Sequence, residues 1–185
     1  MSKINYSNNL EYAPLTQQHT QHRCKKEAEV FFQKAWNGVP ALAVTLTFKL
    51  AGMLKNSSHC IRCSRDNLIK SVGQFRREIN FLVYGKTTCN RYKNVRLGFL
   101  NAYEGISRDH PHSHILLEIP KHKTAEEMFA IVESSAARTL LVDKQIRIEK
   151  TFSNGWQSYI LKQKDKLDVT QDIDWENYTP PRVSI

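Results

Sequence analysis

Three of the seven histidines fall within five consecutive positions, His110-Pro111-His112-Ser113-His114. The apolar run Ile115-Leu116-Leu117 follows directly, so His112 and His114 open a β-strand. Strand side chains alternate between faces, which puts these two imidazoles on one face and Ser113 on the other. Paired imidazoles on a rigid sheet form a donor set for a divalent ion. A carboxylate would complete the site. If residues 95–104 and 112–119 pair as a hairpin over the loop 105–111, Glu104 stands near His112 across the ladder. Two nitrogens, one carboxylate and open positions describe a catalytic metal site rather than a closed structural one. The competing account is a surface hairpin that is merely rich in histidine.

A second constellation lies near the C-terminus, Trp156-Gln157-Ser158-Tyr159-Ile160-Leu161-Lys162. On a helix Tyr159 and Lys162 share a face. A tyrosine hydroxyl ordinarily ionises near pH 10, so as a nucleophile it needs a cation beside it, and Lys162 offers charge to a phosphate or its leaving oxygen. Alone, the same pattern also describes an interfacial tyrosine beside a solvated lysine. A third candidate, Cys60-Ile61-Arg62-Cys63 with His59 adjacent, is half of a zinc site. The remaining cysteines are the singletons Cys24 and Cys89, so ordinary loop thiols are expected.

Positioning these groups requires a particular order of elements. Apolar spacing predicts a helix over 24–37, ended by Gly38 and Pro40, then a central strand over 41–48 with Thr/apolar alternation. Residues 52–64 read as a loop. Asp66 is read as the cap of a long amphipathic helix over about 67–83, followed by a basic linker over 85–94. After the two strands around the histidines, Thr124-Ala125-Glu126-Glu127 fits a capping box opening a helix to about Arg138. Residues 144–149 alternate as a strand, and Gly155 precedes the tyrosine helix. This order predicts an α+β fold: a central antiparallel sheet with flanking helices, mainly on one face. Residues 1–23 are expected to be a leader, 24–165 one domain, and 166–185 a polar tail, docked or loose.

The chain carries 27 Lys+Arg against 18 Asp+Glu in 185 residues, a net +9. Residues 1–99 hold 16 basic and 5 acidic side chains, whereas residues 100–162 hold 8 of each. The excess is therefore a patch, which points to a polyanion. Lys55, Arg62, Arg65, Lys70, Arg76, Arg77, Lys86, Arg91, Lys93 and Arg96 carry it, with Tyr84, Tyr92 and Phe99 interleaved. Lys55, Arg62, Arg65, Arg77, Arg91 and Lys93 are the expected DNA contacts, while Lys70 and Arg76 are expected to solvate a helix. No apolar run approaches a membrane span. The polar N-terminus and sparse cysteines lead to an expectation of reduced thiols and a cytoplasmic setting.

Taken together, these motifs resemble the HUH endonucleases, in particular single-tyrosine rolling-circle replication initiators and their transposase relatives. Ala43-Val44-Thr45-Leu46-Thr47-Phe48 resembles the family's central-strand motif, His110 to Leu117 its metal motif, and Tyr159-Ile160-Leu161-Lys162 its catalytic motif. The match spans about residues 43–162. The resemblance implies that His112 and His114 ligate Mg2+ or Mn2+ with Glu104 as third ligand, that Tyr159 is the nucleophile, and that Lys162 is its phosphate-side helper. It implies an RRM-like palm, a single-stranded or hairpin origin DNA, and nicking through a 5′-phosphotyrosine link. Ser113 departs from the family's usual apolar residue, and Gln163 stands where the two-tyrosine subgroup has its second tyrosine, so one tyrosine is expected. A length of 185 residues leaves no room for a helicase module, and unwinding would fall to a separate partner. The main alternative is a transposase of a mobile element. A non-catalytic RRM-like binding module would also suit the charge and the element order, but it offers no use for the histidine pair.

Overall fold

The computed structural model describes residues 26–53, 60–106, 110–151 and 172–182. Its centre is a four-stranded antiparallel sheet ordered β4-β5-β1-β6, built from β1 (Ala41–Phe48), β4 (Phe99–Glu104), β5 (His112–Glu118) and β6 (Val142–Thr151). The alternation in β1 divides the core in two. Leu42, Val44, Leu46 and Phe48 point to one face, joined by Tyr103, Ile115 and Leu117. There they meet α2 (Arg65–Tyr84) and α4 (Ala125–Ala137). Leu68, Val72, Phe75 and Ile79 of α2 are fully buried there, each worth roughly 2 kcal/mol of apolar transfer. Ala41, Leu100, Ala102 and Leu116 point to the opposite face, where Phe32 and Trp36 of α1 (26–36) cover them. The expected α+β architecture is present, with helices on both faces.

Several local expectations need correction. The stretch read as a loop over 52–64 contributes two short paired strands, β2 (Ala51–Met53) and β3 (Cys60–Arg62); three-residue strands are too brief to show a period in the sequence. The N-cap of α2 is Ser64, whose side chain accepts from the Asn67 amide, and Asp66 instead sits in the first turn, where its charge suits the helix dipole. The segment read as a basic linker holds α3 (Lys86–Arg91). Gly85, at φ 82°, breaks α2 from it, and the Cys89 thiol ties it down by donating to the Asn80 carbonyl. The strand expected from residue 95 begins at Phe99, because the Leu97 and Gly98 amides are taken by the side chains of Asn80 and Glu118. The capping box at Thr124 and Glu127 is formed as expected.

Residues 172–182 dock along the outer edge of β4, with isolated bridges from Ile173 to Ala102 and from Thr179 to Phe99. A buried polar cluster secures them. Asp174 accepts from the Tyr103 hydroxyl at 2.5 Å and from the Asn177 amide and side chain, while Arg76 donates to the Asn177 carbonyl and to Thr179. Arg76 is thus a structural clamp rather than a solvated helix cation.

Burial and the adjacent Asp174 charge push the Tyr103 hydroxyl far above the usual tyrosine range. The unfolded chain loses that proton near pH 10 and the folded chain keeps it, so the contribution is intact below pH ~10 and falls as pH rises. Tyr103→Phe should cost about 1–2 kcal/mol at neutral pH and flatten this alkaline decline. Urea denaturation of both proteins at pH 7 and about 10.5 measures the difference; parallel losses in the two would refute it.

Candidate metal centre

β4 and β5 pair in a register that sets Glu104 directly opposite His112 and Ala102 opposite His114. β5 and β1 pair so that Thr45 faces His114 and Thr47 faces His112. Directly paired residues share a face, so Glu104, His112, His114, Thr45 and Thr47 stand together, beyond the part of that face covered by α1. The Glu104 Oε2 atom lies 3.1 Å from His114 Nε2 and 3.3 Å from His112 Nε2, and the two rings meet edge to face at 5.0 Å. Ligand atoms from all three residues fall within 4.8 Å of one another, the spacing a single ion needs. Two imidazole nitrogens and a carboxylate oxygen form a chemically suitable donor set, and these three residues could hold a metal ion.

The surroundings prepare each donor. The His112 Nδ1 lies 2.9 Å from the His110 carbonyl, which can only accept, so Nδ1 carries the hydrogen and the Nε2 lone pair faces the site. Gly105 makes that geometry possible. It holds φ 72°, and a Cβ there would collide with the His110 carbonyl. Across the sheet, Thr45 Oγ1 lies 3.2 Å from His114 Nδ1 and fixes that ring. Burial pushes the Glu104 carboxyl up, but the hydrogen bond from His114 and the fields of the two imidazoles outweigh it, holding the group below its ordinary value as a carboxylate. His114 is nearly buried, with 10% of its side chain exposed, whereas Glu104 is 54% exposed and open to a ligand from solvent. Ser113 points away from the donors into the core, as the alternation requires. It is fully buried, and its hydroxyl has no hydrogen-bond partner among the described residues.

Strand alternation alone does not mark Thr45 as a site residue, yet it orients a ligand. Outer partners of this kind typically change metal affinity by about 10- to 100-fold. Thr45→Val keeps the volume and removes the oxygen, so Mn2+ affinity should fall about tenfold, with Thr45→Ser restoring most of it. Calorimetric titration of the three proteins decides the matter; equal affinities would leave Thr45 a packing residue.

The other expected site residues do not all converge here. Arg65, at the start of α2, lies 5.8 Å from the centre of the Tyr103 ring, one residue from Glu104, and Arg62 precedes it on β3. Arg77 is exposed in the middle of α2, on the helical layer behind the sheet. Arg91 and Lys93 lie past its far end. Lys55, Tyr159 and Lys162 fall outside the described residues. The row Ala102–His114–Thr45–Arg147 places Arg147 on the ligand face two strands from His114, paired with Glu149 at 2.6 Å. Its only sequence signal is the alternation of β6. Cys60 and Cys63 are free thiols near the start of α2. Cys89 is buried against Asn80, about 20 Å further along that helix, so it cannot complete a zinc site with them.

No helix among the described residues is long and apolar enough to cross a membrane. No protein-family model, curated protein or solved structure matches the chain.

Proposed function

We propose that this chain is a metal-dependent enzyme that nicks and rejoins single-stranded DNA, of the HUH endonuclease type. In this reading it initiates rolling-circle replication of a plasmid or phage in the cytoplasm; transposition of a mobile element is the alternative within the same chemistry. One observation carries the proposal. Glu104, His112 and His114 bring three ligand atoms together on an open sheet face, with both rings oriented by hydrogen bonds from outside the cluster.

The choice of Mn2+ or Mg2+ follows the resemblance to the HUH endonucleases; the carboxylate and open positions for water suit both ions, and the two imidazoles favour Mn2+ of the pair. A divalent ion held by these residues would supply positive charge to the non-bridging oxygens of a scissile phosphate. Glu104 contributes a carboxylate, and since imidazole ligands add no negative charge the loaded site would stay net positive and attract a phosphate. Tyr159 attacks phosphorus, the bond to the 3′ oxygen breaks, and the tyrosine proton is accounted for on the departing 3′-hydroxyl. The product is a 5′-phosphotyrosine link. Lys162 offsets charge on the phosphate during that exchange. No water is consumed, so the same steps run backwards join strands. Unwinding is assigned to a separate helicase.

The test uses the full chain with single-stranded DNA carrying the element's own origin and Mn2+. Equal amounts of a free 3′-hydroxyl fragment and a protein-linked 5′ fragment are expected. Fragments with free 5′-phosphate ends and no adduct would overturn the tyrosine step. Tight metal-independent binding with no cut in any strand would favour the non-catalytic module.

A further inference from the structure

Six cations gather around the C-terminal end of α2: Lys86, Arg91, Lys93, Arg96, Lys121 and Arg182. Their side-chain partners tie them into one continuous surface. Arg182 donates to the Asn94 carbonyl at 2.8 Å and stands 5.5 Å from the centre of the Tyr84 ring, and that ring meets His122 at 5.6 Å. Arg91 lies 5.7 Å from the Tyr92 ring, while Arg96 donates to the Cys89 and Val95 carbonyls. All but Arg96 are exposed, and none of the six pairs with a carboxylate among the described residues. Lys123 nearby is neutralised by Glu127. Glu118 is buried and turned inward, accepting from the Gly98 and Arg182 amides. Along β5 this end lies about 20 Å from His112.

Unpaired like charges held this close repel one another, which a polyanion would relieve. The choice of polyanion follows from the scarcity of rings. Tyr84 is half-buried between Arg182 and His122, which leaves Tyr92 as the exposed aromatic ring of the patch. A single strand is held largely by stacking its bases on successive rings. A duplex hides its base faces and displays phosphates, which guanidinium and ammonium groups grip without reading sequence.

We propose that this end of the molecule grips the backbone of double-stranded DNA, apart from the metal centre. The choice of DNA over other polyanions rests on the function proposed above. The experiment is fluorescence anisotropy of the full chain on a labelled blunt duplex of about 20 base pairs and on a single strand of equal length, across roughly 50–200 mM salt. Two variants on separate segments guard against one misfolding: Arg91→Glu with Lys93→Glu, and Lys121→Glu. Duplex affinity should fall about tenfold or more in the double variant and about threefold in the single one. The slope of log affinity against log salt should shrink by about one for every phosphate left without its cation, and single-strand binding should change less. Duplex binding unmoved in both variants would overturn the proposal, as would an equal loss for the single strand. Nothing is cut in this assay, so failure of the nicking function would show separately, as absent Mn2+-dependent cleavage with duplex binding intact.

Discussion

His114→Ala is expected to weaken Mn2+ binding by at least about 100-fold, and to reduce metal-dependent strand cleavage by on the order of 1000-fold or more. Three features make this residue the most consequential of the three ligands. It is the least exposed, so its nitrogen is held rather than searching for the ion. It alone is braced from the neighbouring strand, by Thr45. It also gives Glu104 its shortest contact, at 3.1 Å, so truncation frees the carboxylate as well as removing a donor. His112→Ala should cost less, since that ring is more exposed and is oriented from within its own turn. Titrating Mn2+ while following the free-ion electron paramagnetic resonance signal gives affinities, and a gel assay gives cleavage. Unchanged affinity in His114→Ala would remove the metal assignment altogether.

The same centre shows what sequence could and could not reveal. β1 and β5 were legible because one alternation serves two faces: Leu46 and Ile115 enter the core while Thr45 and His114 leave it. The pairing of Glu104 with His112 was legible because a short connection between adjacent strands leaves few registers. The bond from Thr45 to His114 joins residues 69 positions apart, and nothing in either segment announces the other. Amphipathic spacing showed that the segment 26–36 has a buried side but not which face of the sheet it covers. The basic residues contiguous in sequence are not contiguous in space. Residues 62–96 are contiguous in sequence, but the 20 residues of α2 hold their ends about 30 Å apart, so Arg62 and Arg65 stand near the Tyr103 end of β4, on the helical side of the sheet, while Arg91 and Lys93 lie past the other end of the helix. Arg76 reads as a solvated helix cation because its partners, Asn177 and Thr179, lie in a tail with no periodicity.

Tyr159→Phe should abolish the covalent protein–DNA adduct and lower cleavage by roughly 10,000-fold, a change of about 5.5 kcal/mol in the barrier. The substitution removes one oxygen and leaves the ring, so Mn2+ affinity and DNA affinity should stay within about twofold of the unaltered chain. That split separates a nucleophile from a residue that merely packs: a packing role would move binding and stability together with the rate. The nucleophile must bring its own atom into the product, so peptide mapping of the adduct should place the phosphodiester on Tyr159. An adduct that persists in Tyr159→Phe would relocate the nucleophile. Lys162→Ala provides the complementary measurement. A lysine that offsets charge on the phosphate is needed in both directions of the exchange, so nicking and rejoining should slow by a similar factor, with the adduct still forming. Slower nicking with unaltered rejoining would instead confine Lys162 to positioning the uncut strand.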